Sequence, residues 1–179
     1  EESGDVDPEP VDPDRARTIA MQAFKLLELW SHIPGTRDDG TIDGEILEHW
    51  IKEARALAKE VGREDVADSQ IGNVLSASPM GSDGNWPAEP IREVIDLFRS
   101  KPLLDGFQIG KRNRRGVTTR MPRDGGELER NEAAAFRAWA KAVAYDHPHT
   151  AKALDSLADS YEDEAGWHDE SAERLDWEV

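Results

Sequence analysis

The stretch GFQIGKRNRRGVTTRM, residues 106–121, decides how the fold is read. It lacks the helical recurrence of apolar side chains, and its β-branched and aromatic residues flank a polar centre holding Asn113 and Gly116. That pattern predicts two short strands, near 107–111 and 117–121, joined around NRRG as a hairpin. The same stretch concentrates positive charge, with five cationic side chains and no anionic one in 111–120.

On either side the signals are helical. Asp12 and Pro13 open a first helix with Ile19, Ala23, Leu26, Leu27 and Trp30 on one face. A second follows Asp43, carries Leu47, Trp50, Ile51, Ala54, Leu57, Ala58 and Val61, and ends at Gly62. A third runs from about Asp65, with Ala67, Ile71, Val74 and Leu75 facing in, and stops before Pro79. A fourth spans the region from Pro87 to Pro102 with Ile91, Val94, Ile95 and Phe98 inward. Beyond RDGG, a fifth carries Leu128, Ala135, Phe136, Trp139 and Val143, and a sixth follows Pro148 with Leu154, Leu157 and Tyr161. The expected fold is mostly α, a compact bundle-like domain of about six helices with one short β-hairpin.

The chain has 179 residues and a formal net charge of −16, enough length for one domain with a core. Residues 1–14 carry seven acids, no base and three prolines, and read as a disordered linker cut from a longer chain. The helical domain is placed at 15–165, and 166–179 as an acidic tail or frayed helix end. There is no apolar run of the roughly 18 residues a membrane span needs, and no signal-peptide pattern. Cysteine is absent, which excludes disulfides, thiolate metal sites and cysteine nucleophiles and points to the cytoplasm.

Motifs that suggest chemistry fail on inspection. GTRDDGTIDGEI resembles a calcium loop, but with Gly40 at the obligatory glycine the ligand positions fall on Gly35, Arg37 and Ile46. A turn at Asp39–Gly40 followed by a helix capped by Asp43 explains the residues better. GSDGNW would place Pro79 and Pro90 at ligand positions. His147, His149 and His168 form no pair with metal-ligand spacing, so no metal and no cofactor is expected. No nucleophile elbow, dinucleotide fingerprint or phosphate loop occurs, and the sequence reads as a non-enzyme. Trp30, Trp50 and Trp139 read as core, and Trp86 as a plug at the base of the fourth helix. Trp167 and Trp177 lie in acidic sequence outside any amphipathic stripe, available to dock back on the domain or to meet a partner.

The basic stretch leaves three readings open. Lys111, Arg112, Asn113, Arg114, Arg115, Arg120 and Arg123 could pair internally with acids of the fifth and sixth helices, where Glu127, Glu129 and Asp159 are available. They could also meet an acidic partner or anion, or bind nucleic acid. The overall negative charge opposes the last, and few aromatics interleave to stack bases.

The segments IPGTRDDGTIDGE, IGNVLSASP, DGNWPAEPIREVID, GFQIGKRNRRGVTTR, GGELER and LADSYEDEAGWHDESAE together resemble the C-terminal region of a family of large, uncharacterised bacterial multidomain proteins. The family's Asn-x-Arg-Gly-Val is matched by Asn113, Arg115, Gly116 and Val117, and the likeness covers about residues 15–175. Lys111 and Arg112 depart from the family's less charged pair. The resemblance implies one module of a longer chain, in a defence-type setting, and implies no activity or cofactor. The expected function is therefore protein–protein contact or intramolecular regulation, with a protein or the rest of the parent chain as partner and no membrane. The alternative is nucleic-acid or anion binding through 111–123.

Overall fold

In the computed structural model, residues 32–116 and 125–177 are described, with side chains to 174, together with 12, 14, 15, 17, 18, 21 and 22. Contacts divide the chain into two units, 1–30 and 31–179. In the first, the described residues 14, 15, 17, 18, 21 and 22 are helical, and Thr18 Oγ1 donates to the Asp14 carbonyl at 2.9 Å. Ile19, Ala23, Leu26, Leu27 and Trp30, assigned above to the first helix, lie outside the described residues.

The second unit is built from helices. Its acidic opening is a turn and a cap rather than an ion loop. The Thr41 N–H donates to Asp39 Oδ1 at 2.9 Å, Gly40 turns the chain at φ +83°, and Thr36 bridges to Ile42. Asp43 then caps α1 (Gly44–Glu60), its Oδ1 accepting from the N–H groups of Glu45 and Ile46 at 3.1 and 3.2 Å. Those bonds, the Ile46 one foremost, and Arg37 hold the Asp43 carboxyl below its usual range. Leu47 and Ile51 are buried, as their spacing predicts. The chain reverses at Gly62 into α2 (Glu64–Leu75).

The loop between α2 and α3 (Glu89–Phe98) wraps around Trp86. The indole donates to the Ser78 carbonyl at 2.8 Å, and Ser78 Oγ accepts from the Ala88 N–H at 2.9 Å. Asp83 closes the loop onto α3 through Arg92, Nη2 to Oδ2 at 2.8 Å. The Asn85 side chain foremost, then its N–H and Arg92, hold the Asp83 carboxyl at about 2.

Here the structure departs from the hairpin expectation. Residues 107–111, read above as a strand, lie in α4 (Lys101–Arg114); 117–121, read as its partner, lie outside the described residues. Among the described residues there is no strand beyond the Thr36–Ile42 bridge. Pro102, taken as a helix stop, lies in the first turn of α4, where a missing N–H costs nothing. The buried positions of α4 are Leu103, Gly106, Phe107 and Gly110, a regular helical stripe in which two members are glycine and so carry no apolar signal. Their role is close approach to α2. A Cβ on Gly106 would strike the Ser69 carbonyl, one on Gly72 would strike the Leu103 carbonyl, and one on Gly110 would lie 2.5 Å from Asn73 Oδ1. Each glycine in a helix costs about 1 kcal/mol relative to alanine, which the dense α2–α4 contact offsets.

Two further helices complete the unit, α5 (Glu127–Val143) and α6 (Pro148–Trp177), packed along each other. Residues 166–177 continue α6 as helix. Leu128, expected inward, is 48% exposed on α5. The core joins both pairs of helices. Trp86 stacks on Phe107 at 5.1 Å, Phe136 meets Trp86 edge-on at 5.8 Å, and Phe136 stacks on Tyr161 at 5.5 Å.

The start of α6 is capped from another helix. Asp96 on α3 accepts from the N–H groups of His149 and Thr150 at 2.8 and 3.0 Å and from Thr150 Oγ1 at 2.8 Å. Replacing Asp96 with alanine should cost about 1–2 kcal/mol, read as a lower urea midpoint, with the fastest-exchanging new amides at His149 and Thr150. No helix among the described residues is long and apolar enough to cross a membrane.

Candidate functional site

The electrostatics of a helix end explain where the basic residues go. The last turn of α4 carries Lys111, Arg112 and Arg114, with Arg115 as its C-cap, where cations meet the negative end of the helix dipole. The helix then aims them at different neighbours. Lys111 lies over the aromatic core, its Nζ 4.4 Å from the Trp86 ring centre and 5.9 Å from that of Phe136. Burial pushes its ammonium below the usual lysine range, and Glu132 opposes the shift. Arg114 turns back to α2, donating from Nε to Ser76 Oγ at 2.9 Å and from Nη2 to the Asn73 carbonyl at 3.3 Å.

Arg115 reaches across to α5 and α6. Its Nη2 donates to Glu129 Oε1 at 2.5 Å, its Nη1 lies 3.5 Å from Glu164 Oε1, and its guanidinium sits 5.1 Å from the Tyr161 ring centre. Glu129 is fully buried, at 0% exposure. Burial works to lower the Arg115 guanidinium, but Glu129, with Tyr161 and Glu164, holds it above its ordinary value. Of the acids named from sequence, Glu129 is thus the partner of Arg115. Asp159 pairs with Arg137 instead, at 2.5 Å. Arg112 and Asn113 remain exposed. Arg120 and Arg123 lie outside the described residues.

Beside this pair stands a cluster that the sequence reading did not single out. Ligand atoms of Glu129, Glu164 and His168 lie within 4.8 Å of one another. Its legible signal was Glu164-x-x-x-His168, which stacks two donors on one helix face. Glu129 belongs to another helix and carried none. These donors suit a divalent ion in type, yet the Arg115 guanidinium already neutralises Glu129 and borders Glu164, so an ion would have to displace it.

The remaining predicted contact residues lie on α6. Trp167 is 60% exposed, its ring steeply inclined to that of His168 at 4.7 Å between ring centres. Trp177 ends α6, and its side chain lies outside the described residues. Two residues beyond Trp167, Asp169 ties α6 to the start of α5: Oδ1 accepts from the Gly126 N–H at 2.8 Å and Oδ2 pairs with Arg130.

Among the described residues of the basic segment, Lys111, Arg114 and Arg115 are engaged in the unit's own packing. Comparison with protein-family models, curated proteins and solved structures yields no match.

Proposed function

We propose that this chain is a non-catalytic module of a larger bacterial cytoplasmic protein, and that it works by contact with a partner protein or with another part of its parent chain. The observation that carries the reading is Trp167, a large indole left 60% exposed on an acidic helix. Its helical neighbours include Asp163, Glu164 and Glu170, and the adjacent Gly166 faces open space. An exposed tryptophan in an acidic surround suits a segment bearing lysine or arginine, whose cation the ring face attracts and whose charge the carboxylates match.

The alternative, nucleic acid along the basic stretch, has less support. Lys111, Arg114 and Arg115 already have partners inside the unit, and Arg112 is the one cation of 111–115 with no hydrogen bond or ion pair among the described residues.

A photo-crosslinking phenylalanine analogue at position 167, introduced in cells, tests the reading. We expect a discrete protein adduct that is lost when Asp163 and Glu170 are both changed to lysine. The same analogue at Tyr145, which is 95% exposed on the α5–α6 loop, should give none. Equal labelling at the two positions, or adducts with nucleic acid, would refute it.

A further inference from the structure

Glu129, Glu164 and His168 converge from two helices, with a ligand atom of each within 4.8 Å of the others. The trio is not an exposed acidic patch. Glu129 is fully buried, and the side chains of Glu164 and His168 are 34% and 14% exposed. Glu164 and His168 stand one turn apart on α6, with His168 Nε2 at 3.8 Å from Glu164 Oε1. Glu129 comes from the first turn of α5, which Asp169 pins to α6 through the Gly126 N–H. The backbone that carries the three donors is thus held in place by contacts that need no ion.

A cation already stands among them. The Arg115 guanidinium lies 2.5 Å from Glu129 Oε1 and 3.5 Å from Glu164 Oε1, bridging the two carboxylates as a metal would. It sets one positive charge against two negative ones. A divalent ion in the same place would balance both, and it would also take the lone pair of the imidazole, a donor that suits zinc and its neighbours better than magnesium or calcium. Arg115 has room to leave. It is the C-cap of α4, its side chain is 16% exposed, and Gly116 beside it turns the chain at φ +72°. Its long side chain can swing to solvent while the helix stays where it is.

We propose that Glu129, Glu164 and His168 form a site for a first-row divalent ion of the zinc type, and that Arg115 is the stand-in cation of the ion-free state. Binding exchanges the guanidinium for the ion and releases Arg115 to solvent, with water completing the coordination. The site neighbours Trp167 but does not rest on the contact proposed for that residue.

The test is titration of the full, untagged chain with Zn²⁺, read by calorimetry, and with paramagnetic Ni²⁺, read by amide spectra. We expect one saturable Zn²⁺ site with a Kd on the order of 10 μM, weaker than a four-ligand structural site because the guanidinium must leave. Mg²⁺ should bind at least about tenfold more weakly. Ni²⁺ should broaden the amides around His168 and Glu129 and spare those of His147 and His149. His168→Gln should weaken Zn²⁺ at least about tenfold. Arg115→Gln removes the competitor and should tighten Zn²⁺ about tenfold, an outcome that a merely structural arginine would not give. If that variant is unfolded in metal-free buffer, Zn²⁺ should restore its folded spectrum. Absence of saturable binding below about 100 μM would overturn the proposal. So would unaltered affinity in His168→Gln, equal or weaker binding in Arg115→Gln, an Arg115→Gln chain that Zn²⁺ leaves unfolded, or broadening centred on His147 and His149.

Discussion

Leucine in place of Gly106 should cost about 3 kcal/mol or more of stability, because the added side chain has no space between α2 and α4. The Ser69 backbone occupies the position of the first added carbon. A carbonyl belonging to a helix cannot rotate away, so the two helices must separate and uncover Phe107 and Leu103. Even Gly106→Ala should be destabilising, although alanine favours a helix by about 1 kcal/mol. Gly166 provides the internal control. It is helical, and nothing lies within 4 Å of the Cβ it would gain. Gly166→Ala should therefore stabilise by about 0.5–1 kcal/mol. Urea unfolding of the three variants reads the result, and a Gly106→Ala protein as stable as Gly166→Ala would disprove the close-packed crossing.

Arg115→Ala should be the most damaging change outside the apolar core, by about 3–5 kcal/mol. It strips a fully buried carboxylate, Glu129, of the guanidinium 2.5 Å away. Lost solvation, not lost attraction, sets that cost, so removing the carboxylate as well should return stability. Arg115→Met combined with Glu129→Met should unfold at higher urea than Arg115→Met alone. If the double replacement is the less stable of the two, Glu129 is not held chiefly by Arg115.

The parts of this fold that were legible in the sequence are those whose causes are local. Asp43, Leu47 and Ile51 announce α1 because a cap and a stripe lie within one segment. The helix over 101–114 was hidden for the opposite reason. Its inner stripe substitutes Gly106 and Gly110 for apolar side chains, and their value appears only against Ser69 and Asn73 on another helix. Pro102 compounded the misreading, since a proline at a helix start and one at a helix end look alike without the neighbouring Ser100 cap in view. In the candidate site, pairing between the basic stretch and α5 was foreseeable from charge. The choice of Glu129 over Asp159 was not, because it depends on where α5 crosses the end of α4. Asp96 was beyond sequence reasoning, for its bonds reach 53 and 54 residues along the chain.

The two ties on α6, Asp96 at its start and Asp169 near its far end, have a mechanical consequence. A pull on the outer end of this helix is not relieved by peeling it away turn by turn. The load passes along the rod as shear and reaches both anchors together. A partner gripping near Trp167 would therefore tug on the whole unit, and the force needed to detach α6 would be shared between α3 and the head of α5.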